Sequence, residues 1–201
     1  SKQSYINELY VLKIIKMPGN LNDSNQNTLL GLSNSFQDNK DLENANSISR
    51  RFISYRPRSE AELRIRLLKV FSHEIVLESV AQMYREGLLN DQRFAQMWVD
   101  SRQQSRPKSK NSIKRELLSK GISEHLAEEA ISQLSDIDNA TLCANKKARS
   151  LNGLGKDDFY KKLEGYLQRR GFNFSISRTV ISEAWDLNQS SFQNTADAIN
   201  L

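Results

Sequence analysis

Between Arg102 and Arg115 the sequence places Arg102, Arg106, Lys108, Lys110, Lys114 and Arg115 around a single proline, Pro107. Guanidinium and ammonium groups at this density make charge-assisted hydrogen bonds, either to carboxylates of a protein or to phosphates of a nucleic acid. Arg56 and Arg58, with Arg64 and Arg66 behind them, form the upstream counterpart; Lys161, Lys162, Arg169 and Arg170 form the downstream one. The competing account is a solvated helical face neutralised by i,i+4 partners such as Glu60–Arg64 and Glu62–Arg66. Few acids intervene in the middle cluster, which favours binding there. Charge patterning does not choose between carboxylates and phosphates.

Other reactive residue types lack the company that chemistry needs. Cys143 sits on a small-residue helix with no activating group in view, so a structural role is expected. His73 and His125 follow candidate cap serines, and two histidines with one cysteine cannot build a multi-histidine or cysteine-based metal cage. Glu128-Glu129 and Asp157-Asp158 fit favourable interaction with helix dipoles. Phe94 and Trp98, four apart, have the spacing of a base-stacking pair but lie on an apolar helical stripe, so core packing is expected. No phosphate-binding glycine loop, nucleophile elbow or metal triad occurs, and the chain reads as a non-enzyme with no catalytic residue, metal or cofactor.

The net charge of +5 is uneven. Residues 1–49 carry four basic and five acidic residues, whereas residues 50–186 carry 25 basic and 18 acidic. The excess therefore lies where a polyanion or an acidic protein surface would be attracted. The single cysteine fits a reducing compartment. The apolar run Tyr5 to Met17 is broken by Glu8, Lys13 and Lys16, short of the ~18 residues that span a bilayer. A cytoplasmic location without membrane association is expected.

The elements that must position these cations repeat. Ile48, Trp98 and Ala148 stand fifty residues apart, as do Leu63, Ile113 and Leu163, and Leu67, Leu117 and Leu167. "RPRS" (56–59) returns as "RPKS" (106–109), and Gly121 returns as Gly171, while the first copy is one residue short and has Val70. Each period reads as three helices. The first carries Ala45, Ile48, Phe52 and Tyr55; Pro57 closes it and Ser59 caps the next, with Glu62 completing a Ser-x-x-Glu box. Asp91 is the candidate cap of the next cycle, whose stripe is Phe94, Met97 and Trp98; the third cycle begins with Ile137, Ala140, Ala144 and Ala148. The expectation is an all-α protein of three tandem three-helix repeats (residues 44–90, 91–135 and 136–187) forming an elongated body, straight or curved. An N-terminal extension (1–43) is expected to be weakly structured or packed through Leu29, Leu30 and Leu32, with Tyr10–Met17 a short strand or helical turn. A tail (188–201) follows.

"YRPRSEAELRIRLL", "EGLLNDQRFAQMWVDSR", "SIKRELLSKGIS" and "LQRRGF" together resemble the RecX family of bacterial recombination regulators. The likeness runs from about residue 44 to 187. It is most specific over Glu86–Arg102, where Gly87, Leu88, Leu89, Asp91, Arg93, Phe94, Ala95, Ser101 and Arg102 all fall in place. Departures are Val70 for a glycine, Trp98 where tyrosine is common, and a different N-terminal segment. The resemblance implies a non-catalytic, monomeric modulator that binds RecA, in its filament and as the free protein. It would lie in the groove of the RecA–DNA filament and restrain growth, ATP hydrolysis, strand exchange and SOS co-protease activity. Single- or double-stranded DNA would be touched weakly or through the filament. The alternatives are a direct DNA-binding helical module without a recombinase partner and a helical scaffold for a peptide.

Overall fold

Helix ends, more than helix interiors, decide how this chain is laid out. The computed structural model describes the backbone of residues 23–199 and the side chains of residues 37–189. The expectations for Tyr10–Met17 and for packing through Leu29, Leu30 and Leu32 lie outside the described residues and side chains. Nine α-helices and no strand occur among the described residues. They are α1 (Asp23–Ser54), α2 (Glu60–Leu67), α3 (His73–Arg85), α4 (Asp91–Ser105), α5 (Lys110–Ser119), α6 (Glu124–Ile131), α7 (Asp136–Ala148), α8 (Lys156–Gln168) and α9 (Phe174–Ile199).

Two stretches expected to lack regular structure are helical. α1 begins at Asp23, well before residue 44, and α9 continues through the expected tail to Ile199. Asn, Ser and Asp weaken a helix without forbidding it. Between Gly19 and Pro57 only Gly31 interrupts, and no Gly or Pro follows Gly171. Once Ala45–Ile53 and Phe174–Ala184 are ordered by packing, each further residue adds one hydrogen bond without a new nucleation step.

The helices enclose three hydrophobic cores. Ala45, Leu63, Leu67, Val76, Val80, Met83 and Leu89 form the first. Phe94, Ala95, Val99, Ile113, Leu117, Ile122 and Ala127 lie in the second. Ala140, Ala144, Phe159, Leu163, Leu167 and Val180 lie in the third. The six residues at the fifty-residue interval, Leu63, Ile113, Leu163, Leu67, Leu117 and Leu167, are all 0% exposed. Each pair is spaced i,i+4 on the middle helix of its trio, so both side chains point one way.

By contacts the chain divides into two compact units. Among the described residues, one comprises those up to Arg56 together with Leu63–Leu89; the other comprises Pro57–Glu62 together with those from Asn90 onward. In the first, α1 packs against α3 through Ser49, whose hydroxyl lies 3.0 Å from that of Ser79. Arg50 clasps Glu86 through Nε and Nη2 at 2.8 and 2.6 Å. That clasp, with Gln82 also donating to it, holds the Glu86 carboxyl down to about 2. Tyr55 falls beyond the end of α1 and is exposed.

The second unit shows why the sequence repeats. Gly121 and Gly171, at φ +78° and +83°, end their helices with matching hydrogen bonds from Ile122 N–H to Leu117 O and from Phe172 N–H to Leu167 O. This Schellman closure needs a left-handed residue. Each glycine also faces a helix start. A Cβ on Gly121 would overlap Ala61 Cβ, and one on Gly171 would overlap the Ser112 hydroxyl. Across the first joint Ser59 Oγ donates to Lys120 O at 2.6 Å; across the second Ser109 N–H donates to Arg170 O at 3.1 Å. Asp91 accepts from Glu60 N–H and Asp136 from Lys110 N–H, at 2.9 and 2.6 Å.

Asp91 is therefore not the cap of its own helix. Asn90 fills that place, accepting from Arg93 N–H at 2.8 Å. Asp91 instead satisfies an orphan donor at the start of α2, as Asp136 does for α5. Ser59 and Ser109 hydroxyls cap the same two starts by accepting from Glu62 and Ser112 N–H.

Candidate functional site

The middle cation cluster is largely engaged from within. Glu116 on α5 accepts from Arg102 Nε at 2.6 Å and Trp98 Nε1 at 2.8 Å on one oxygen, and from Lys108 Nζ on the other. The Arg102 guanidinium also lies over the Trp98 ring, 4.5 Å from its centroid. Lys114 pairs with Glu124 and Glu128, both at 2.8 Å. Lys110 Nζ donates to Ser132 O at 3.1 Å. The expectation that few acids reach this cluster is therefore corrected. Glu116 is fourteen residues from Arg102, and Glu124 and Glu128 come from the next helix, so the fold supplies neutralisation that spacing does not show.

Burial alone pushes the Glu116 carboxyl up, but the hydrogen bonds from Lys108, Arg102 and Trp98 outweigh it and hold the group below the ordinary carboxylate range. A depressed folded-state value contributes stability above the unfolded pKa of ~4.3, and that contribution is lost as pH falls through the folded value. Glu116→Gln is expected to lower stability at neutral pH by about 1–3 kcal/mol. It should also flatten the acid limb of the melting-temperature profile, measured from about pH 6 down to about pH 3. An unchanged profile would show that this carboxylate is not held by the three donors.

Other cations keep their charge outward. Among the described residues Arg106 and Arg115 have no acidic partner; Arg115 reaches only Ser112 Oγ and Asn111 O, at 3.2 and 3.4 Å. Lys161, Lys162 and Arg169 are exposed on or just beyond α8, opposite buried Phe159, Leu163 and Leu167, and they too lack an acidic partner there. Arg170 is half-buried and stacks 3.8 Å over the Tyr166 ring. Arg56 is exposed in the turn after α1, and Arg58 is half-buried before α2. The Glu62–Arg66 pair offered by the competing account is not formed among the described residues. Glu62 takes Lys120 at 3.1 Å, and Arg66 has no acidic partner among the described residues.

The residues weighed for chemistry are placed quietly. Phe94 is buried and stacks on half-buried Trp98 at 5.9 Å between centroids. Cys143 is buried with its thiol donating to Pro107 O at 3.3 Å, and burial raises its pKa. His73 and His125 are exposed. Among the described residues no group of three His, Cys, Asp or Glu could hold a metal ion, and no helix is long and apolar enough to cross a membrane. Sequence reasoning missed Glu116 as the hub and Asp91 and Asp136 as caps across the joints. The readable signal for the latter was an Asp directly after each cap residue, in Asn90-Asp91 and Ser135-Asp136.

Fold and surface together define an all-helical protein of successive three-helix modules with cations displayed on several helix faces. Residues 90–131 match RecX, second three-helix domain, and residues 135–181 match RecX, third three-helix domain. The chain is 36% identical over 168 residues to the regulatory protein RecX of Corynebacterium efficiens, covering 78% of this chain and 80% of that one. It is 33% identical over 147 residues to that of Streptomyces coelicolor, covering 71% and 78%. The chain belongs to the RecX family of regulatory proteins. Its fold is like that of RecX from Lactobacillus salivarius, with a TM-score of 0.63 at 24% identity over 74% of this chain and 98% of that crystal structure.

Proposed function

We propose that the chain regulates RecA by binding in the groove of the RecA–DNA filament. There it restrains filament growth, ATP hydrolysis, strand exchange and SOS co-protease activity, with no chemistry of its own. Family membership supports the reading. The observation that carries it is the set of exposed cations without an acidic partner among the described residues: Arg106, Arg115, Lys161, Lys162 and Arg169. Several weak charge contacts made at once gain from effective concentration on a repeating partner. Arg102, Lys108 and Lys114 contribute by holding the scaffold through Glu116, Glu124 and Glu128, and Arg56, Arg58, Lys110 and Arg170 belong to the same proposed basic surface.

The test adds the protein to RecA, single-stranded DNA and ATP. Co-sedimentation with the filament and slowed ATP turnover are expected; unchanged turnover with no co-sedimentation removes the reading. Arg106→Glu with Arg115→Glu should leave the melting temperature in place and weaken filament binding roughly tenfold. Tight binding to naked DNA with a steep salt dependence, and none to the filament beyond it, would instead identify a direct DNA-binding module.

A further inference from the structure

α2 presents apolar side chains to solvent where its module has no use for them. Ile65 is 63% exposed and Leu68 43%, one turn apart on one face, and Val70 in the following turn is 72% exposed. The core of this unit takes Leu63 and Leu67 from the other side of the helix. Isolated exposed aliphatics need no explanation, but three within six residues make a patch.

Comparison of the modules shows that the three together are not a demand of the fold. At the fifty-residue interval Ile65 corresponds to Arg115 and Gly165, and Leu68 to Leu118, itself 41% exposed, and Gln168, so only the first module sets an exposed leucine beside an exposed isoleucine. Val70, after the one-residue deletion, stands where the other modules have Gly121 and Gly171. Val70 closes its helix without a left-handed residue, its N–H and that of Phe71 both reaching Leu67 O at 2.9 and 3.0 Å. A polar residue would serve that turn as well.

The patch is framed by charge of one sign. No acidic residue occurs from Leu63 through Ser72, and Arg66 and Lys69 have no acidic partner among the described residues. A nucleic acid would satisfy the two cations, but branched aliphatic chains offer bases no aromatic surface on which to stack. A protein segment carrying both apolar side chains and carboxylates satisfies all five residues.

We infer that Ile65, Leu68 and Val70, with Arg66 and Lys69, form a docking surface for an acidic, apolar segment of the protein partner, separate from the cations of α5 and α8. The inference rests on the reading that this partner is RecA in its filament. The test uses the full chain and two variants, Ile65→Ser with Val70→Ser, and Arg66→Glu with Lys69→Glu. Each is compared with wild type for co-sedimentation with RecA on single-stranded DNA at low and moderate salt. Both variants are expected to melt as wild type does and to bind the filament at least about tenfold more weakly. Only the wild type and the serine variant should keep the normal response to salt.

Wild-type binding by the serine variant overturns the inference while leaving the filament reading intact. Wild-type binding by the charge-reversed variant overturns the acidic character of the segment. A serine variant that melts several degrees lower shows the patch to be covered by this chain itself. Self-association of the wild type that the serine variant abolishes shows it to be covered by a second copy. Either result overturns the inference. Failure of the wild type to co-sediment removes the filament reading and the inference together.

Discussion

Leu117→Asp destabilises the second unit by about 4–6 kcal/mol and leaves much of it unfolded at room temperature. Leu117 is 0% exposed, on the middle helix of its trio, in a core with Phe94, Val99, Ile113 and Ile122. Removing the leucine forfeits about 2–5 kcal/mol as transfer and cavity terms. The carboxylate that replaces it has no cation within the core and must desolvate or protonate, which adds to the loss. Domains have only about 5–15 kcal/mol in hand, so one such change dominates. The control is its neighbour. Leu118 is 41% exposed, and Leu118→Asp should shift stability by no more than about 0.5 kcal/mol. Urea unfolding followed by circular dichroism separates the two, and equal midpoints would mean that the register of α5 is misassigned.

That contrast marks how far the sequence alone reaches. Leu63, Ile113 and Leu163 were legible because burial at i and i+4 on a short helix leaves a repeat that counting can find. Met97 and Ile137 read as stripe residues but are 42% and 49% exposed, because Ala95 and Val99, and Asn139 and Cys143, hold the buried faces. Small or polar residues beside a neighbouring helix carry no hydrophobic signal. The cation cluster shows the same limit for electrostatics. Its composition was plain, but only tertiary structure brings Glu116 to Arg102 and Lys108, or Glu124 and Glu128 to Lys114. The repeated glycines were visible as helix terminators. That they also let one helix end approach the start of another was not.

Gly121→Ala tests that approach, and its loss should exceed that of Gly87→Ala. Both glycines have positive φ, +78° and +68°, and both end a helix. An alanine at either position is strained by about 1–2 kcal/mol in the left-handed region. Around Gly87 a Cβ would meet nothing within 4 Å, so strain is its whole effect. At Gly121 the new methyl overlaps Ala61 Cβ, which is fixed to its backbone and cannot swing aside. The start of α2 must move away, adding about 1–3 kcal/mol of overpacking. The displacement also loosens the bonds from Ser59 to Lys120 O and from Lys120 to Glu62. Gly121→Ala is therefore expected to cost about 3–5 kcal/mol against about 1–2 for Gly87→Ala, read as shifts in urea midpoint. Ala61→Gly should restore part of the Gly121→Ala loss despite its own helix-propensity penalty of up to about 1 kcal/mol, because it removes the atom that the new methyl strikes. Gly171→Ala should fall between the two, since the nearest obstacle there is the Ser112 hydroxyl, which can rotate, with Ser109 Oγ at 2.7 Å behind it. If Gly121→Ala and Gly87→Ala cost the same and Ala61→Gly rescues neither, the close joint does not exist, and the fifty-residue repeat of glycine is a matter of helix termination alone.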